Sequence, residues 1–387
     1  MTNPATVTNE LYNENMKHTI ILILVLIPLS ISGQDITFGS EILNTKDPQI
    51  EAVRDLWKLY VTNSKNVDKK PSLEYWNKSE LDLGFTDIIM KVIDIPYRIG
   101  NLSISEIKKV DKDYYRISNK WFLGDSSYIF KFRVYARKEN DGFKLFNCFY
   151  VTKPSLLHYQ VDNFDYHYLP NFSFNIQKAK QSAEFYSKIS SLYGNADKRK
   201  ITYIVGNNLD EVNKLIGFDK SPISSASPLA GSTINCPNFI ILSGREDHFH
   251  EIVHSVLIPT FPNAHMLFHE GIATYYGGNV DRKLSDFIDE LKKVITNNPD
   301  IDLSKFDEFD KILNDGKFNN FYFLGAIFID YAIKNGGPKK VLALLQYPVN
   351  DPYSFENAKS AIQQELGIEK NQIDNFIKKY IQDYIVN

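Results

Sequence analysis

Residues 250–254 read His250-Glu251-Ile252-Val253-His254, and a second group, His269-Glu270-Gly271-Ile272-Ala273, follows shortly after. Two imidazoles four residues apart share one face of a helix, so both can reach a single metal ion. Glu251 is adjacent to His250 and offset from that face. It should not ligate, but it can take a proton from a metal-activated water. Glu270 offers a third ligand. Three protein ligands with a fourth position left for water or substrate is the catalytic arrangement of zinc, whereas structural zinc is usually closed by four side chains, often cysteines. Neither Cys148 nor Cys236 is close in sequence. The expected centre is one Zn2+ ion held by His250, His254 and Glu270, with Glu251 activating a zinc-bound water. His265 and His269 are also in range as third ligands. His269 neighbours Glu270 and should point off the ligand face; it and His248 read as solvated or supporting histidines.

These side chains need two helices. Ser243 reads as an N-cap, with Glu246 three residues on to complete a capping box. The helix then runs to Val256 or Leu257 and should end before Pro259. A second helix is expected from Asn263 or Ala264 to the Gly277-Gly278 stop. An antiparallel return would bring Glu270 over the histidines, with Gly271 and Ala273 small enough for close backbone approach. Phe239 to Leu242 reads as a buried strand which, at a sheet edge, could hold an extended peptide by main-chain bonds. A donor for a developing oxyanion is also needed. Tyr322 is the candidate, Tyr275 and Tyr276 are rivals, and simple aromatic packing is the plainer reading of each.

The two groups, with Glu270-Gly271-Ile272-Ala273-Thr274-Tyr275 after the first, resemble the gluzincin zinc metallopeptidases of the peptidase MA-like family. The family's pattern is HExxH followed by a helix carrying EGxAxY. The resemblance implies that His250, His254 and Glu270 are zinc ligands and Glu251 the general base. Tyr322-Phe323-Leu324-Gly325 is similar to the family's later Tyr-x-x-Gly helix, and the tail from Gly336 to Gly367 to its closing helices. The likeness covers roughly residues 175–385. The 15 residues between His254 and Glu270 are near the short end for such enzymes. No Gly-Ala-Met-Glu-Asn style segment precedes the motif, which favours endopeptidase over aminopeptidase activity.

Elsewhere, residues 49–63 read as a helix, with Ala52, Leu56, Trp57 and Tyr60 at its period. Strand patterns follow near 101–108, 112–120, 126–136 and 143–152, with a turn at Asn140-Asp141-Gly142. This is an α+β module, a helix on a curved antiparallel sheet, similar in pattern to the cone-shaped domains related to nuclear transport factor 2. A bridge with Pro154 and Pro170 leads to a partly helical stretch at 176–192, a strand at 201–205 and a helix at 209–215. Helices are expected at 284–296, 319–334, 337–346, 353–365 and 371–384. The fold expectation is an accessory domain over 40–155, then a thermolysin-like catalytic domain over 172–387 with a small sheet and a mostly helical C-terminal part.

The 387 residues are 43% apolar and 24% charged, an ordinary globular balance, and the formal net charge of −3 argues against a nucleic-acid partner. Two cysteines allow one disulfide at most. Lys17 and His18 precede the apolar run Ile20 to Ile27, followed by Pro28 and small residues. This reads as an export signal cleaved near 32–34 within a 1–33 extension, and as too short for a comfortable membrane span. The expectation is zinc-dependent hydrolysis of peptides or proteins outside the cytoplasm, with no stable membrane span in the mature form. A non-catalytic zinc-binding interaction module and a zinc amidase acting on cell-wall peptides are the alternatives.

Overall fold

The computed structural model describes residues 36–64, 73–79, 88, 101–111, 113–122, 130–194, 199–221, 225–227, 229–235, 239–279, 282–306 and 320–384. The expected export signal and Cys236 lie outside these residues. The described chain forms two compact units. One comprises residues 36–174 and 199–245, the other residues 175–194 and those from 246 onward. The units interleave along the chain.

The first unit holds two sheets. Strands β1 (Ile36–Phe38), β2 (Asn101–Lys109), β3 (Tyr114–Phe122), β4 (Phe130–Glu139) and β5 (Gly142–Phe146) lie in that order. β1 pairs parallel to β2 and the rest are antiparallel. Strand alternation sends Tyr115, Ile117 and Trp121 inward. They meet helix α1 (Pro48–Ser64), whose Val53, Trp57, Tyr60 and Val61 are fully buried at helical spacing. Ala52, expected on that face, is exposed one position away. The Trp57 indole donates to Asn119 Oδ1 at 2.9 Å, giving the buried N–H its partner. The last expected strand stops at Phe146, and Cys148–Thr152 turns helical.

The second sheet contains β6 (Leu157–Val161), β7 (Phe164–Tyr168), β8 (Ile201–Val205), β10 (Gly231–Asn235) and β11 (Phe239–Ser243); β9 (Phe218–Lys220) joins β4 of the first. The order is β10-β11-β8-β7-β6, with the central strands parallel and both outer ones antiparallel. β11 is therefore paired on both sides, and the expectation of a peptide-holding edge at Phe239 to Leu242 is corrected. The hairpin β6–β7 occupies the stretch read as a bridge; Asp162 makes its turn at φ 52°, a conformation aspartate tolerates.

The second unit is all helical among its described residues: α2 (Ile176–Tyr193), α3 (Phe249–Thr260), α4 (Met266–Gly277), α5 (Leu284–Asn297), α6 (Asn320–Gly336), α7 (Pro338–Gln346), α8 (Phe355–Ala361) and α9 (Ile373–Asp383). The α+β architecture with a mostly helical C-terminal region stands. No helix of the described residues is long and apolar enough to cross a membrane.

Candidate metal centre

Helix α3 is buried on every side from His250 to Leu257, because Ile252, Val253, Val256 and Leu257 surround the polar ligand face with apolar ones. Its start differs from the capping-box expectation. Ser243 ends β11, where its hydroxyl accepts from the Arg245 amide at 3.1 Å, and His248 is the N-cap. Glu246 instead ties α2 to the approach to α3. Its carboxylate accepts from the Asn175 amide at 2.6 Å, and its carbonyl from the Ser182 hydroxyl at 2.8 Å. Nor does Pro259 end the helix. It sits in the last turn, where only one bond is lost, and Phe261 N–H still reaches the Leu257 carbonyl at 2.8 Å.

Helix α4 starts at Met266, later than expected, capped by His265. Its Nδ1 accepts from the Leu267 amide at 3.1 Å while its Nε2–H donates to the Ser354 carbonyl at 2.9 Å. The helix runs back against α3 so closely that a Cβ on Gly277 would lie 2.4 Å from the backbone nitrogen of His250. Glycine is required there. The chain then leaves at Gly278, φ 75°, and its carbonyl accepts from His250 Nδ1 at 2.8 Å. Donation to a carbonyl requires the proton on Nδ1, which leaves the Nε2 lone pair for a ligand role.

The three expected ligands converge. His250 Nε2 lies 3.1 Å from Glu270 Oε2, His254 Nε2 lies 3.3 Å from that same oxygen, and the two ring nitrogens are 3.2 Å apart. Ligands about 2.0–2.1 Å from a tetrahedral zinc stand roughly 3.3–3.4 Å from one another, so the donor triangle fits that ion. The donor chemistry fits as well: two imidazoles and a carboxylate, the ligand types zinc takes, face one point. His250, His254 and Glu270 thus form a metal-ligand cluster with the spacing of a gluzincin-type site. Their side chains are 7%, 8% and 15% exposed, so the cluster is buried but not sealed.

The electrostatics of the pair run in one direction. Burial opposes ionisation of Glu270, but the facing charge of His254 and its hydrogen bond outweigh it, holding the carboxyl well below the usual carboxylate range. Burial likewise opposes charging of His254, and Glu270 overrides it, pushing the imidazole up to about 9. A proton on His254 thus neutralises Glu270 when no cation does.

Glu251, 9% exposed, follows His250 on α3. Tyr322 of α6 is at the cluster: its ring centroid is 5.3 Å from that of His250, and its phenol hydrogen-bonds Glu270. The charge on Glu270, burial and Glu251 together hold that phenol well above its ordinary pKa. Its position follows from Gly325, one turn on. A Cβ there would stand 2.2 Å from the Leu267 carbonyl, and one on Gly271 would stand 2.4 Å from the Gly325 carbonyl carbon. Two glycines facing each other let α4 and α6 touch backbone to backbone, which brings Tyr322 onto Glu270.

The remaining candidates fall elsewhere. His269 is buried rather than solvated, and its Nε2–H donates to the Phe261 carbonyl at 3.0 Å, closing the turn between α3 and α4. Burial pushes His269 and His265 down to about 4, so both are neutral pieces of structure. The Tyr276 hydroxyl pairs with that of Tyr193 at 2.7 Å. Burial first and then Asp330 push Tyr275 up to about 12. What sequence reasoning missed is Gly278 as the group orienting His250; Gly277-Gly278 signalled a helix stop but not a contact. No known family profile matches this chain, and no curated protein does.

Proposed function

We propose that this protein is a zinc endopeptidase of the gluzincin kind, cleaving peptides or proteins outside the cytoplasm. The observation that carries this reading is the gathering of His250 Nε2, His254 Nε2 and Glu270 Oε2 within 3.1–3.3 Å of one another beside Glu251. His250, His254 and Glu270 would hold the ion, which supplies Lewis acidity toward a carbonyl and acidifies water when bound. The Glu251 carboxylate accepts the proton from the attacking water and returns it to the leaving amine nitrogen. The Tyr322 phenol, protonated at every working pH, would turn its one proton from Glu270, once that carboxylate holds the ion, to the carbonyl oxygen as charge develops there. Gly278 keeps His250 in the tautomer that ligates. The charged start and apolar run at 17–27 support the extracytoplasmic location.

The test is cleavage of a peptide library by the full chain, read by mass spectrometry, with and without a chelator. Cleavage should vanish on chelation and return with zinc. Glu251→Gln should keep one zinc per chain and lose about 10²–10⁴-fold in rate. A parental rate in that variant removes Glu251 as the base. Stoichiometric zinc with no cleavage of any peptide replaces the peptidase by a binding module.

A further inference from the structure

The segment between α7 and α8 presents Tyr353, 60% exposed, more than any other large hydrophobic side chain among the described residues. Its side chain has no hydrogen-bond or ring partner among those residues. The main chain around it, by contrast, is fixed on both sides. The Pro352 carbonyl accepts from the Met266 amide at 2.9 Å, and the Ser354 carbonyl from His265 Nε2–H at 2.9 Å. Asp351 closes the turn. Its Oδ1 accepts from the Tyr353 amide at 2.9 Å, and its carbonyl from the Asn357 side-chain amide at 3.0 Å.

These bonds hold Tyr353 beside the metal ligands. His265 is the N-cap of α4 and Met266 its first residue, so Glu270 follows about one turn along the same helix. Phe355, the first residue of α8, stacks on Phe321 with ring centroids 5.5 Å apart, and Phe321 precedes Tyr322 on α6. The segment is thus joined to both helices that supply the centre. The Tyr353 hydroxyl is close enough to feel the cluster. After desolvation, the charge of Glu270, ahead of that of Asp351, raises its pKa. A ring largely open to solvent, with its hydroxyl nevertheless desolvated, stands on a concave wall.

Burying a ring of this size is favourable, and nothing among the described residues buries it. Because the backbone beneath it is already fixed, little ordering entropy is lost when a partner covers it. We infer that Tyr353 determines specificity at the proposed zinc site, its ring packing against an aromatic side chain of the peptide beside the bond to be cleaved. This rests on the peptidase reading of the centre. Tyrosine offers a large amphipathic face with only two side-chain torsions to lose. Aromatic pairs with centroids 4.5–7 Å apart gain beyond the area they bury, which favours an aromatic side chain over an aliphatic one.

The test is calorimetric titration of the full chain carrying Glu251→Gln and supplied with zinc. The ligands are capped alanine pentapeptides with and without a central phenylalanine. The phenylalanine peptide should bind about tenfold more tightly or better. Adding Tyr353→Ala should remove that preference and leave the alanine peptide unchanged, while Tyr353→Phe keeps the preference. Leu59→Ala, at an exposed apolar position on α1, should alter neither. Zinc content and unfolding midpoints should show that each variant is intact. Absence of saturable binding, equal affinity for the two peptides, a preference that survives Tyr353→Ala or is lost in Tyr353→Phe, or equal weakening by Leu59→Ala would overturn the assignment. The expected preference in a chain whose Glu251 parent cleaves no peptide would uphold Tyr353 as the contact and overturn the peptidase reading instead.

Discussion

At the residue scale, the centre depends on where protons sit. Glu270 holds a proton on His254 up to about pH 9, and a metal must displace it. Zinc affinity of the metal-free protein should therefore fall as pH is lowered below that value, with proton release on binding. Titration in two buffers of different ionisation enthalpy checks this, and a pH-independent affinity between 6 and 8 would contradict it. The phenol of Tyr322 is a separate case. Tyr322→Phe removes a hydrogen bond from Glu270 and the proposed oxyanion donor while leaving the ring. It should keep zinc at one per chain and lose roughly 10²–10³-fold in kcat. Unchanged kcat would return Tyr322 to a packing role. The pairing of His250 and His254 was legible in advance because a helix imposes a four-residue face on any sequence. The partner of His250 Nδ1 was not, since a carbonyl from residue 278 reaches it only after the chain has turned back.

At the element scale, two close approaches build the site. Gly277 lies on the start of α3, and Gly271 and Gly325 join α4 to α6. Gly325→Ala would drive a methyl into the Leu267 carbonyl, and backbone cannot yield as a flexible side chain can. The helices must part, costing about 1–3 kcal/mol or more and moving Tyr322 off Glu270. Chemical denaturation should show the lower stability and kinetics the lower rate. A variant with parental stability and kcat would show that the contact is not needed. Gly271 was readable as a small residue permitting close approach, but its facing partner at Gly325 was not, because the residues between them carry no signal of which helices pair. The same limit explains the strand errors. Phe239 to Leu242 was recognisable as apolar and β-type, yet nothing in those residues distinguishes an edge from a strand paired on both sides.

At the scale of the whole molecule, stability and pH are linked through two buried histidines. His265 caps α4 and His269 closes the α3–α4 turn, both neutral with pKa values near 4 against 6.5 in an exposed chain. The unfolded chain therefore takes up protons first as pH falls. Stability from these groups is complete above about 6.5 and is lost as pH falls through 4, worth roughly 3 kcal/mol for each. Urea midpoints should drop between pH 7.5 and 4.5, and His269→Gln should flatten that slope. A midpoint independent of pH, or a slope unchanged by the variant, would remove these residues as its source.

Local rules were enough to read the helices from 284 onward, the HExxH face and the carboxylate of Glu270, because periodicity and ligand spacing operate within a few turns of one element. Long-range pairing decided the rest. It interleaves residues 199–245 with the first unit, pairs β11 on both sides and buries His269 against a carbonyl. It also sets Gly325 against Gly271 so that a tyrosine some fifty residues away meets the metal ligands. Side-chain type and spacing specify what chemistry is available. Which groups meet depends on how closely distant backbones can approach, and that is a property of the packed chain.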